Sequence, residues 1–343
     1  MSMAISSSLQ GINMHAVWFS NPGGPEVLQW KEYPEPSPGP GEVLLAVHTA
    51  GVNNADLMQR QGRYPPPVGA SPVLGLECSG VVEALGDGVT SWSTGDRVCA
   101  LIAGGAYAEK VVVPADQLLP LPRNLGLLEA AAMPEAACTV FSNLGMNEPL
   151  ISGMSLLVQG GGSGIGTFAI QWAKALGASV FATAGSDEKC KRCLDLGAQS
   201  AINYRREDFS EAVLRETHGR GVDRILDIVG ADYLERHLKC LAQDGRLVII
   251  GSMGSARDSV LGLRQMMVKR LTVAATTLRA RPHEQKAAIV RAVRDHVWPL
   301  IEAGRIVPVI DKVFSMTDAA AAHSLLASGA TVGKVLLTTP RAT

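Results

Sequence analysis

The sequence predicts an α/β protein in which a mostly β domain is joined to a doubly wound parallel sheet. Three observations carry this. The stretch Ser155 to Gly177, SLLVQGGGSGIGTFAIQWAKALG, reads as a strand, a glycine-rich turn and a helix. After it, short apolar runs alternate repeatedly with helical segments, the pattern of parallel strands joined by crossover helices. Before it, strand-like runs are punctuated by Pro and Gly without helices between them.

The leading segment, MSMAISSSLQGIN, lacks the basic start and apolar core of a signal peptide and is expected to be a mobile extension ending at residue 13. From Met14 the runs HAVWF, VLQWKEY and VLLAVHTAGV are separated by NPGGPE and PEPSPGPGE, and CSGVVEAL, TGDRVCAL and AYAEKVVVP continue the β pattern to about Pro122. An alanine-rich helical region, 127–150, is interrupted by Pro134. The alternation then predicts strands at 155–158, 179–184, 200–203, 224–228 and 246–250, with helices to Leu176 and Leu196 and over 209–217 and 233–241. Leu271 to Ala275 supplies a last strand. The tail reads as a helix over 285–302, a strand over 307–314, a helix over 318–327 and a strand over 334–338. The expected division is residues 14–136 with 277–343 in one domain and 137–276 in the other.

The chain has 343 residues, enough for about two cored domains, and an ordinary hydrophobic share of 47%. A net charge of −1 without long runs of one sign gives no footprint for nucleic acid or an anionic membrane, so a small-molecule partner is expected. No apolar stretch approaches the roughly 20 residues of a membrane span. Six scattered cysteines do not frame a small disulfide fold, and reduced thiols in a cytoplasmic protein are expected. Cys190 and Cys193 form a C-x-x-C inside a predicted helix with no second pair to complete a zinc site.

The glycine turn carries the chemistry. Glycines admit positive φ and close approach, and the helix behind them presents unpaired N–H groups and its positive dipole end, which together suit a pyrophosphate. The strict G-x-G-x-x-G/A spacing occurs only as Gly164, Gly166 and Ala169, later than the usual register. A site that prefers NAD carries an acid at the end of the second strand to receive the ribose hydroxyls. Here that strand ends Thr183, Ala184, Gly185, Ser186, and Asp187 and Glu188 already have a reason to stand in the first turn of the next helix. Lys189 follows, a cation suited to a 2′-phosphate, with a solvent-facing lysine as the alternative. NADPH is the expected cofactor.

Several segments in order resemble the medium-chain dehydrogenase/reductase superfamily, and within it the zinc-free quinone oxidoreductases related to zeta-crystallin. They are GVNNADLMQRQGRYP, LGLECSGVVEALGDGV, TGDRV, AYAEKVVVP, the glycine loop, AGSDEKCKRCLDLGA and INYRREDF. The resemblance implies a GroES-like mostly β catalytic domain beside a Rossmann nucleotide-binding domain. Zinc-dependent relatives carry a metal-ligating cysteine and histidine where this chain has Asn53 and Leu76, and the cysteine-rich lobe is missing between Val98 and Tyr107, so no metal is expected. The family's Ala-x-x-Gly-x-x-Gly loop becomes Gly160, Ser163 and Gly166, a variation that resembles an NADPH-dependent branch.

By the same resemblance, Gly160, Gly161, Gly162, Ser163, Gly164, Ile165 and Gly166 hold the pyrophosphate. Gly185, Ser186, Lys189 and Tyr204 surround the adenosine 2′-phosphate. Asn53 and Thr139 lie at the nicotinamide end, and Gly251, Ser252 and Met253 follow a strand end, where α/β sheets bind ligands. Asn53 and Tyr64 are the candidate catalytic residues, orienting an acceptor that takes its proton from solvent or from Tyr64. Asp56 and Arg60, four apart, are expected to pair on a helix, and His15 and His48 to be structural. The implied activity is hydride transfer from NADPH to a quinone. The alternatives are reduction of α,β-unsaturated aldehydes, ketones or thioesters, and a non-catalytic, crystallin-like NADPH-binding role. The run Leu271 to Ala275 resembles the edge strand through which such enzymes form homodimers.

Overall fold

The computed structural model describes residues 13–254 and 258–340. The expected N-terminal extension lies outside these apart from Asn13, which opens the strand Asn13–Trp18. Six strands form one wholly parallel sheet, ordered from edge to edge Ser200–Asn203, Ser179–Ala184, Ser155–Val158, Val222–Asp227, Leu241–Ile249 and Thr272–Ala275. The strand before the glycine turn therefore sits between the second and fourth strands. This is the point where strand order reverses in a Rossmann sheet and a crevice opens.

Alternate residues of these strands face two separate cores, as a sheet covered on both faces requires. Leu156, Val158, Val180, Ala182, Leu226 and Val248 pack with Phe168, Trp172 and Val293. Leu157, Phe181, Ile225 and Leu247 pack with Phe209, Val213 and Leu238. The helix Gly164–Leu176 is capped by Ser163 and closed by Gly177 at φ 85°, and Asp187–Leu196 is capped by Ser186 and closed by Gly197 at φ 113°.

The β part is a second sheet ordered Ile310–Ser315, Lys334–Thr338, Glu42–Val52, Glu77–Leu85, Arg97–Leu101 and Leu118–Pro120, with Lys110–Pro114 also paired to Glu42–Val52. The last strand of the chain thus lies inside this sheet, parallel to Ile310–Ser315 and antiparallel to Glu42–Val52. In the tail, two elements depart from expectation. The helix expected over 285–302 is two helices, His283–His296 and Trp298–Glu302, because Pro299 has no N–H to continue the first. The strand expected from Val307 begins at Ile310, because the Gln171 side chain takes both backbone groups of Val307 and Pro308 cannot donate. No helix among the described residues is long and apolar enough to cross a membrane.

Candidate functional site

The glycine turn stands at the carboxyl end of the central parallel strand. Gly160 adopts φ 69°, which favours glycine. Ser163 begins the helix, its Oγ accepting the Gly166 N–H at 2.9 Å. The substituted serine is therefore an N-cap that keeps its hydroxyl proton free to donate outward. A Cβ on Gly166 would overlap the carbonyl of Gly160, and one on Gly161 would press on Ala182 and Cys193. Gly164 and Gly166 lie within the helix, so the open turn is Gly160 to Ser163 and the G-x-G-x-x-A register falls on the helix itself. Ile165 points back against the core.

Buried hydrogen bonds fix this turn from below. Thr183 Oγ1 accepts the Gly160 N–H at 3.2 Å and donates to Gln159 Oε1 at 2.6 Å. Gln159 Nε2 then donates to His237 Nε2 at 3.0 Å, which places the imidazole proton on Nδ1. Burial pushes the His237 pKa down to about 3, so the ring is neutral. Replacing Thr183 by valine leaves Gln159 and the Gly160 N–H short of a partner. It is expected to cost about 1–3 kcal/mol, read as a lower urea midpoint, while Thr183→Ser retains stability.

At the far end of the second strand, a Cβ on Gly185 would press on the Tyr204 hydroxyl and stand 3.5 Å from Arg205 Nε. Tyr204 is exposed, and the Arg205 guanidinium has no side-chain partner among the described residues, whereas Arg206 pairs with Asp187 at 2.7 Å. Ser186 Oγ accepts the Lys189 N–H at 3.3 Å, turning that lysine toward the crevice. Lys189 is half-buried, and its Nζ donates to the carbonyls of Gly329 at 2.5 Å and Thr331 at 2.8 Å. Burial lowers its pKa. The loop that supplies these carbonyls continues onto the glycine turn, with the Gly333 N–H on the Gly162 carbonyl at 2.8 Å and Gly333 paired with Ser163.

Lys334, next in the chain, enters a buried polar knot. Its Nζ donates to Glu77 Oε1 and, at 2.7 Å, to Asn53 Oδ1, while Asn53 Nδ2 donates to Glu77 Oε1 at 3.0 Å. Glu77 Oε2 accepts the Glu135 N–H at 2.9 Å. Glu77 is fully buried, so its charge is held by these partners alone. Leu76 has no donor atom and the Asn53 amide is occupied, so this side-chain set does not suit a zinc ion.

The expected Asp56–Arg60 pair does not form. Asp56 Oδ2 accepts from Asn53 N at 2.8 Å and Tyr107 Oη at 3.2 Å, and Oδ1 accepts from Gly75 N at 3.0 Å. Burial raises its pKa to about 6. Arg60 instead donates to the Gly23 carbonyl and to His323 Nδ1, both at 3.2 Å. His15 stacks on Trp30 and His48 bonds Thr49, both within strands.

Tyr64 is half-buried, with the Arg279 guanidinium 5.3 Å from its ring centre. Arg279 is itself fastened to Gln59 Oε1 at 2.6 Å and the Ala103 carbonyl at 2.7 Å. Burial, chiefly, raises the Tyr64 pKa, with Arg279 opposing and Glu135 adding to the shift. Thr139 is buried one turn after Glu135 on the helix Pro134–Phe141. Gly251, Ser252 and Met253 close over the end of the fourth strand, where the Met253 N–H meets the Ile228 carbonyl at 3.0 Å. A Cβ on Gly160 would overlap the Ile228 side chain, so this loop adjoins the glycine turn.

Glu77, Lys334, Glu135, Arg279 and Arg205 escaped the sequence reading. For Glu77 and Lys334 a signal was present: a charged residue against an apolar run that reads as a buried strand needs a buried partner.

Two family models match the chain, "Alcohol dehydrogenase GroES-like domain" over residues 39–123 and "Zinc-binding dehydrogenase" over residues 164–294. A quinone oxidoreductase of Pseudomonas aeruginosa is 36% identical over 326 residues, 94% of this chain and 98% of the relative. A 2-haloacrylate reductase of a Burkholderia species is 32% identical over 324 residues, 92% of this chain and 96% of the relative. The solved Escherichia coli quinone oxidoreductase complexed with NADPH superposes with a TM-score of 0.84 at 32% identity, covering 95% of this chain and 99% of that one.

Proposed function

The chain belongs to the medium-chain dehydrogenase/reductase family, beside its quinone oxidoreductases, and from that premise we propose that it is an NADPH-dependent quinone oxidoreductase working without a metal. The observation that carries the reading is the pairing of the glycine turn with a cleft in which Glu77, Lys334, Asp56 and Arg279 are already matched, while the Tyr64 hydroxyl and the Glu135 carboxyl make no hydrogen bond among the described residues. Bound NADPH would supply a hydride. The chain's part is to hold the pyrophosphate on Gly160 to Ile165, against the Gly166 contact, with Thr139, Gly251, Ser252 and Met253 toward the nicotinamide end.

Preference for NADPH is supported by the absence of an acid at Ala184 to Ser186 and by Lys189, Tyr204 and the unpaired Arg205 beside Gly185. Asn53, fixed between Lys334 and Glu77, and Tyr64, fixed by Arg279, would orient the acceptor by proximity rather than by activating a nucleophile. Tyr64→Phe is expected to raise the quinone KM by up to about tenfold, the worth of one hydrogen bond, with kcat nearly unchanged. A large fall in kcat with unchanged KM would instead make Tyr64 part of the chemical step.

The reading includes the division into residues 14–136 with 277–343 and residues 137–276. It also includes a homodimer formed through Leu271 to Ala275. The strand Thr272–Ala275 is an unpaired sheet edge, and Val260, Leu263, Met267 and Val268 beside it are exposed, which is a face that association would cover. The six free thiols support a reducing, cytoplasmic setting.

A second reading, reduction of activated alkenes, is favoured by the likeness to a 2-haloacrylate reductase, whose name designates an α,β-unsaturated acid. The deciding experiment follows nicotinamide absorbance with NADPH or NADH against 1,2-naphthoquinone, 1,4-benzoquinone and a reactive enal. Fast quinone turnover with NADPH supports the first reading. Enal turnover alone moves the enzyme to alkene reduction, and NADPH binding without turnover returns it to a binding role.

A further inference from the structure

We propose that Glu135 is the proton donor of this cleft, an inference that rests on the reductase reading above. The residue occupies the first turn of Pro134–Phe141, one turn before Thr139, and its backbone is pinned by Glu77. Its carboxyl group has no hydrogen bond or ion pair among the described residues. The neighbouring acids do: Glu77 is held by Lys334 and Asn53, and Asp56 by Asn53, Gly75 and Tyr107.

The groups that act on Glu135 come from every side of the cleft. Glu77 and Asp56 repel its charge, and Lys334 and Arg279 favour it. Lys286 and Tyr64 lie within its electrostatic reach, and Cys138 stands behind it on the same helix. Of the cations that favour its charge, Lys286 makes no ion pair with it and the other two are already engaged. Lys334 is committed to Glu77 and Asn53, and Arg279 to Gln59, Ala103 and Tyr64. Burial first, then the Glu77 charge, raises the Glu135 pKa to about 8, so the carboxyl keeps its proton at neutral pH. Burial also raises the pKa of Tyr64 above the ordinary phenol value of 10.0, leaving Glu135 the stronger acid of the two.

The step balances as follows. The acceptor receives a hydride, with its electron pair, from NADPH, which becomes NADP⁺, and the acceptor oxygen is left as an oxyanion. The O–H bond of the Glu135 carboxyl breaks and its proton bonds to that oxygen, giving hydroquinone or enol. The carboxylate left behind regains a proton from water.

The test uses full-length wild type, Glu135→Gln and Glu135→Asp. Infrared difference spectra of the ligand-free protein, taken between about pH 6 and pH 10, read the protonated-carboxyl stretch directly. A carboxyl titrating near pH 8 is expected in wild type and should vanish in Glu135→Gln. With an enone acceptor, kcat should fall above that pH in wild type, and Glu135→Gln should lose about a hundredfold and the pH dependence, while nicotinamide fluorescence shows unchanged NADPH binding. Glu135→Asp should keep a titration, displaced in pH. Persistence of the band, or of the wild-type rate and profile, in Glu135→Gln overturns the proposal. Should that variant not fold, a wild-type profile in Glu135→Asp overturns it equally. Wild-type protein that binds no NADPH overturns the reductase reading itself.

Discussion

Replacement of Lys334 by methionine is expected to cost about 3–5 kcal/mol of stability. The loss arises from what remains. Glu77 is wholly buried, and without the ammonium its carboxylate keeps only the Asn53 amide and the Glu135 N–H as partners. The strand Lys334–Thr338 and the start of the helix Pro134–Phe141 should loosen together, because both are tied to that carboxylate. Urea denaturation measures the loss, and the double variant Lys334→Met with Glu77→Gln should recover most of it by removing the stranded charge. An unchanged midpoint in the single variant would mean that the charge finds water in the folded state. Cofactor affinity should fall in both variants, since Asn53 loses its fixed orientation.

Lys189→Met should weaken NADPH binding by about tenfold and leave NADH binding unchanged. The expected loss sits at the low end for a charged hydrogen bond because the wild-type ammonium must give up the Gly329 and Thr331 carbonyls to meet a phosphate. Ligand-free Lys189→Met should also show faster amide hydrogen exchange across residues 329–333, which the lysine now anchors. Equal loss for both nucleotides would assign Lys189 to holding the loop rather than to the 2′-phosphate. Arg205→Met should add to the NADPH-specific loss.

The parallel sheet was legible because its information is local. Each strand is a short apolar run, the first two helices each carry a cap and a closing glycine, and Ser163, Gly177, Ser186 and Gly197 stand where the periodicity asks for them. The polar knot was not legible as a pair, because Glu77 and Lys334 are 257 positions apart and no local pattern links one to the other. Asp56 and Arg60 misled for a related reason. Their spacing puts both on one helix turn, but Asp56 at the third helical position reaches back to the Asn53 N–H and across to Gly75, and Arg60 reaches another segment. Lys189 is expected from the sequence beside a 2′-phosphate, but its carbonyl partners come from a loop that no local pattern links to it. Tertiary partners, rather than element types, are what the linear pattern withheld.

The position of Lys334–Thr338 between Ile310–Ser315 and Glu42–Val52 also sets the order in which the molecule can be assembled as it is made. The six parallel strands lie in one uninterrupted stretch, Ser155 to Ala275, and can pair while later residues are still within the ribosome. Glu42–Val52 emerges early and can pair at once with Glu77–Leu85 and Lys110–Pro114, but its other neighbour, Lys334–Thr338, arrives only after the whole parallel sheet, and the long loop closed by that pairing makes it a slow event. During synthesis, then, the first-made strands form the last-finished sheet, with an open seam exposed to other nascent chains and to chaperones. The same closing strand carries Lys334 into the knot, so the cleft becomes complete only once that strand has paired.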